Sequence, residues 1–202
     1  MLQKIFHDFV TLFVVVNPIG VVPLFIGIAG HEEPARRKQI AIHAIVISAI
    51  ILVVFTVIGQ LLLEALGIDL HSFQIAGGLV LLIIALRMVL EEARVTRLDE
   101  PAGWSNVAVF PLAMPFIAGP ASLMAVVLLT DNDVYTVWQQ VETTIVMLVV
   151  LGITYACLIG ANTVQRVLGN TGANVVGRIM GLLLAALAVK SIMLGLHDLK
   201  FD

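Results

Sequence analysis

The chain has 202 residues, of which 60% are hydrophobic and 12% charged, and its mean hydropathy is +1.06. A soluble domain carries roughly 25% charge, and one core of this size cannot hide so much apolar surface. The composition excludes a disordered chain, a nucleic-acid binder and most soluble enzymes. It predicts a polytopic membrane protein with little mass outside the bilayer. The formal charge of −3 decides little by itself. The single cysteine, Cys157, lies in an apolar run and excludes an intramolecular disulfide.

A helical span takes ~20 apolar residues. Six apolar runs follow in chain order, at about 5–29, 40–63, 72–90, 107–129, 143–164 and 174–196. The first has no A-x-A cleavage pattern and reads as a span, not a signal peptide. The runs are continuously apolar, which argues against a barrel, whose strands alternate over ~10 residues. The expected architecture is all-α, with six transmembrane helices. Residues 1–90 form a first three-helix unit, 91–106 a cytoplasmic connector of mixed charge, and 107–202 a second three-helix unit.

Six spans put both termini on one side. Arg36, Arg37, Lys38, Arg87, Arg94, Arg97, Arg166 and Arg178 fall on one side, and only Lys4, Lys190 and Lys200 on the other. Eight against three places both termini outside the cytoplasmic membrane by the positive-inside rule.

The two halves repeat each other. Asn17-Pro18-Ile19-Gly20 matches Gly119-Pro120-Ala121-Ser122 at an offset of 102. Ile58-Gly59 matches Ile159-Gly160, Leu66-Gly67 matches Leu168-Gly169, and Gly77 matches Gly177. With three spans per half, the second half enters the membrane the other way up. That predicts an inverted-topology 3+3 repeat of the kind found in many secondary transporters, where two near-equivalent halves rock between inward-open and outward-open states.

Prolines interrupt spans one and four. Pro18 and Pro23 give no N–H to the carbonyls of Val14 and Ile19, and Pro111, Pro115 and Pro120 free those of Val107, Pro111 and Phe116. Asn17 and Pro120 each lie ~18–20 Å into their spans, near mid-membrane. Unpaired backbone at that depth must be buried in protein or line a cavity. Carbonyls there suit an ammonium and half-helix N-termini suit a carboxylate, so the pair suits a small zwitterion. The expected substrate-binding residues are Asn17, Pro18, Gly20, Gly119, Pro120 and Ser122. Packing kinks are the alternative reading of the same prolines.

NPIG followed by PLF in the first half, PLAMPFIAGPASL opening the second, ARRK after span one and AGG in span three together resemble the MarC family, also called the six-span neutral amino acid transporter family. The resemblance covers essentially the whole chain. It implies an integral inner-membrane protein and a carrier of glycine, alanine and similar neutral amino acids. Some members carry an Asp at the place of Asn17, so a coupling carboxylate there does not transfer to this chain.

Other residues point elsewhere. Asp8, Glu64 and Glu142 sit at the outer edges of spans, and no carboxylate lies at mid-membrane. His43, Arg87 and Lys190 lie near span ends, where the long basic chains snorkel. Trp104 and Trp138 read as interface anchors, and Gly77, Gly78, Gly177 and Gly181 as close-packing residues. No enzyme is expected. His31-Glu32 lacks the second histidine of H-E-x-x-H, and Ser48, Ser122 and Ser191 have no mid-membrane histidine partner. The expected function is therefore alternating-access transport of small neutral amino acids. The alternatives are efflux of another small solute, or a structural or regulatory membrane role. Expected partners are the amino acid and the lipid bilayer, with no nucleic acid. No cofactor is expected, and the coupling ion (Na⁺ or H⁺) and oligomeric state stay open.

Overall fold

The computed structural model describes residues 2–29, 32–90 and 108–198. The connector 91–106, with Arg94, Arg97 and Trp104, lies outside the described residues, as do His31 and Lys200. Every element in the described residues is a helix. In order the elements are α1 (Leu2–Val16), α2 (Val21–Ala29), α3 (Pro34–Ala65), α4 (Leu70–Leu90), a π-helix (Ala108–Ile117), α5 (Pro120–Leu129), α6 (Val137–Ile159) and α7 (Ala161–Asp198). Three of them, α3, α4 and α6, are long and apolar enough to cross a membrane on their own.

Helix ends follow local sequence. Pro34 sits in the first turn of α3, where its missing N–H is no loss. At the other end Gly67 takes φ +66°. Its N–H bonds the Glu64 carbonyl at 3.0 Å, and the Ile68 N–H bonds that of Leu63 at 2.9 Å. This paired closure needs a left-handed residue after the helix, which glycine supplies without strain. Asp69 then caps α4, accepting from the backbone N–H and the hydroxyl of Ser72. Thr136 and Gln139 form a reciprocal capping box on α6.

The last helix departs from expectation. A connection is expected between 164 and 174, yet α7 runs unbroken from Ala161 to Asp198, and the chain turns at Gly160 instead. No proline lies between 161 and 198, and glycine alone costs a helix only about 1 kcal/mol. At ~57 Å, α7 is much longer than the bilayer core is thick.

The π-helix follows from its two prolines. Pro111 and Pro115 supply no N–H to a carbonyl four residues back, so the segment winds wider. Its exit is a bond from the Ala118 N–H to the Ala113 carbonyl, five residues back, at 2.8 Å.

The most extensive interhelical contact is between α4 and α7. A Cβ on Gly78 would meet the Ala188 carbonyl at 3.1 Å, one on Gly181 the Ala85 carbonyl at 3.1 Å, and one on Gly195 the His71 carbonyl at 2.9 Å. Glycine at these three places lets the two backbones approach. The core beneath is apolar, built on Leu12, Phe25, Leu52, Leu81, Leu112 and Met147. The outer faces carry exposed Ile50, Val57, Leu61, Ile83, Leu148 and Leu182, side chains that a soluble protein would bury.

Candidate functional site

Both proline motifs break their helices. In the first, residues 17–20 separate α1 from α2; in the second, residues 118–119 separate the π-helix from α5. The restart is the same in each. The Val21 N–H bonds the Asn17 carbonyl at 3.2 Å, and the Leu123 N–H bonds the Gly119 carbonyl at 2.9 Å. Asn17 and Gly119 are 102 residues apart, and so are Val21 and Leu123. Pro18 and Pro120 each follow the residue that accepts this first bond, the position where proline fits a helix start.

The two breaks lie side by side. α1 packs on α5, and α2 packs on the π-helix. The first half of one broken span thus meets the second half of the other. The two interrupted helices therefore pass each other in opposite directions. Asn17, Pro18, Gly119 and Ser122 are buried there, Gly20 is half-buried and Pro120 is exposed.

The polar groups at the two breaks are arranged differently. Asn17 is the one non-glycine residue with positive φ among the described residues, at 52°, a region asparagine tolerates better than most. Its Oδ1 accepts from the Gly20 N–H at 3.1 Å, and its Nδ2 donates to Met88 Sδ at 3.9 Å. A Cβ on Gly20 would lie 2.1 Å from Asn17 Nδ2, so the folded-over amide requires glycine at 20. The Ile19 carbonyl, expected to be freed by Pro23, accepts from the Val22 N–H at 3.2 Å. It is a correction that follows from the tighter three-residue turn the break adopts.

At the second break, Gly119 caps α5 without a side chain. Helix geometry leaves the N–H groups of Ala121 and Ser122 without an intrahelical acceptor, and both residues are buried, 6% and 1% exposed. The Ser122 hydroxyl turns away from them and donates to the Ile117 carbonyl at 2.7 Å. The second break therefore presents uncapped donors, whereas the first has used its own side chain on one of them.

A second polar cluster was not foreseen from the sequence. Asp8 is 1% exposed. Lys4 Nζ donates to Asp8 Oδ2 and to Thr143 Oγ1, each at 2.6 Å, and Thr143 Oγ1 lies 2.7 Å from Asp8 Oδ2. The ammonium also stands 4.4 Å from the centre of the Tyr135 ring. Burial, with the charges of Asp8 and Asp131 adding to it, pushes the Tyr135 phenol above its ordinary value. The cluster ties α1 to α6 near the start of both helices. The i, i+4 spacing of Lys4 and Asp8 is the sequence signal for the pair; nothing local points to Thr143, 135 residues further on.

The remaining candidates lie elsewhere. Arg87, Lys190 and His43 are exposed, and the ring of His43 meets the Gln39 carbonyl at 2.8 Å. Trp138 is also exposed. Gly77 stands against Met124 of α5, placing α4 beside the second break.

Comparison with known proteins gives a consistent result. The family described as "MarC family integral membrane protein" matches residues 2–199. A "UPF0056 membrane protein" of Methanocaldococcus jannaschii is 34% identical over 200 residues, covering 97% of each chain. One of Buchnera aphidicola subsp. Schizaphis graminum is 32% identical, over 95% of this chain and 90% of its own. An Escherichia coli K12 protein named "UPF0056 inner membrane protein YhgN" is 30% identical, over 97% of this chain and 98% of its own. No solved structure matches the chain.

Proposed function

Because the chain belongs to the MarC family of integral membrane proteins, we propose that it carries small neutral amino acids across the inner membrane through a site at its two crossed helix breaks. The observation that carries this reading is the antiparallel crossing itself, with α1 on α5 and α2 on the π-helix. Broken helices at membrane depth are tolerated where they line a cavity or are buried in protein, and carriers use such breaks to bind substrate.

The packing pattern supports an inverted 3+3 repeat. α1 packs on α6 as the π-helix packs on α3, and α4 packs on α5 as α7 packs on α2. α3 with α6 and α4 with α7 pair each element with its own counterpart. Exchanging the halves thus returns each of these pairings. Two arrangements of similar energy follow from such a plan, which is what alternating access needs. The excess of basic residues on one side puts both termini outside, and the name of the Escherichia coli relative supports the inner membrane as the location.

In this reading the substrate carboxylate takes the uncapped N–H groups of Ala121 and Ser122 at the positive end of α5. Left without any partner, such buried groups would each cost about 1–3 kcal/mol. The ammonium takes carbonyl oxygen at the end of α1, where Pro18 supplies no N–H to Val14. Gly20 and Gly119 keep the space small, which favours glycine and alanine. Asn17 holds the first break open by capping Gly20.

The test is flux of radiolabelled glycine and L-alanine into proteoliposomes, with and without a Na⁺ or pH gradient. Saturable flux is expected from the native protein. Gly119→Leu is expected to reduce it at least about a hundredfold, by placing four carbons where the carboxylate binds, while the purified protein stays monodisperse. Normal flux through Gly119→Leu overturns the site. Absence of flux from folded native protein overturns the function.

A further inference from the structure

Ser48 lies mid-way along α3, is fully buried, and its Oγ has no hydrogen-bond partner. A hydroxyl in a helix ordinarily returns to the carbonyl four residues back. Thr56, Thr130, Thr144 and Thr154 all do so, at 2.6–2.9 Å. Ser48 departs from that habit, and an unpartnered buried hydroxyl destabilises the protein that holds it.

Its place in the bundle gives the reason. A Cβ on Gly59 would lie 2.7 Å from Val127 Cγ2, which fixes where α3 meets α5. α3 also packs along the π-helix. Since α3 ends at Ala65, a few residues beyond Gly59, the π-helix can lie only beside its earlier turns, so α3 runs parallel to the second broken span. Ser48 precedes Gly59 by 11 residues, three turns and ~16 Å along the same stripe of the helix. Stepping back the same distance from Val127 takes seven residues to Pro120 and then residues 118–119, of which Gly119 is extended. Ser48 therefore faces the second broken span at the level of the break, where the Ala121 and Ser122 N–H groups stand uncapped.

We propose that Ser48 is a further substrate-binding residue: its hydroxyl donates to the substrate carboxylate alongside those two N–H groups. This rests on the carrier reading above and deepens it. Three donors converging on one carboxylate select for a free α-carboxylate, and the hydroxyl is left unpartnered because its acceptor is the ligand. The hydroxyl donates and is not consumed; no bond is made or broken.

The experiment uses the full chain in proteoliposomes, with L-alanine as probe, and thermal unfolding of the purified protein without amino acid. Ser48→Ala is expected to raise KM for L-alanine about tenfold, the usual worth of one hydrogen bond to a charged group, with flux at saturation close to native. Without alanine, Ser48→Ala is expected to melt at or above the native temperature, because it removes a hydroxyl that nothing in the protein satisfies. Ser48→Cys, a weak donor of similar size, is expected to fall between. An unchanged KM in Ser48→Ala, with native protein transporting, overturns the role of Ser48 and leaves the carrier standing. A lower melting temperature without alanine shows the hydroxyl bonded inside the protein and overturns it too. No saturable flux from native protein overturns the carrier reading, and this assignment with it.

Discussion

The two helix breaks share a backbone plan and differ in who satisfies it. Each restarts its helix with an N–H bond to a residue four back, from Val21 to Asn17 and from Leu123 to Gly119. In the first, Asn17 turns into the left-handed region and folds its amide over Gly20. In the second, the residue at that place is glycine, and the polar side chain is moved to Ser122, where it serves the incoming π-helix through the Ile117 carbonyl. The first break uses its own side chain on one of its donors; the second leaves the N–H groups of Ala121 and Ser122 uncapped. The same backbone break can thus hold a self-bonded turn in one place and uncapped donors in the other. The difference comes down to where one polar side chain sits in a four-residue window.

Substitutions sharpen this comparison, beginning with Gly119→Leu described above, which has the largest expected effect. Next, Gly20→Ala is expected to destabilise by about 3 kcal/mol, since the new Cβ displaces the Asn17 amide, losing a cap and adding strain. Chemical unfolding reads this. In an Asn17→Gly background the same change is expected to cost far less, and equal costs in the two backgrounds would break the link between the residues. Ser122→Ala removes the partner of a buried carbonyl and is expected to cost about 2 kcal/mol in the same measurement. A cost near zero would mean the Ile117 carbonyl finds another donor. The smallest effect belongs to a cap outside the spans. Bonds from the Ser72 N–H and hydroxyl hold the Asp69 carboxyl below its ordinary value. Its contribution to stability is therefore full above the ordinary carboxylate value, about pH 4, and is lost as pH falls through the lower folded value. Asp69→Asn is expected to flatten that acid limb slightly. The neutral cap at Asn17 gives the first break no such dependence.

Much of this was legible in the sequence. The two Pro-Gly motifs and their offset of 102 mark breaks that the backbone makes at the expected residues, because proline's missing N–H acts locally. The roles of the polar residues at those breaks were less legible. Asn17 and Ser122 read as groups open to a ligand, whereas their side chains bond Gly20 and Ile117. Local side-chain-to-backbone bonds compete with any ligand, and their geometry is not written in residue type. The π-helix was hidden because several prolines forbid α bonds without saying what replaces them. The Lys4–Asp8–Thr143 cluster was hidden because its members meet only through the packing of α1 on α6. The reach of α7 was missed because polar residues after 164 resemble a loop, yet no residue there stops a helix.

The most direct test of the central claim is access to the second break from the two sides of the membrane. Cys157 is the chain's one cysteine, so Cys157→Ser gives a background in which Ala121→Cys, beside the uncapped N–H groups, is the single thiol. The account predicts that a membrane-impermeant thiol reagent reaches this position from outside and, in inverted vesicles, from inside, and that L-alanine slows labelling from both. Labelling from one side only, or labelling that alanine leaves unchanged, would contradict it.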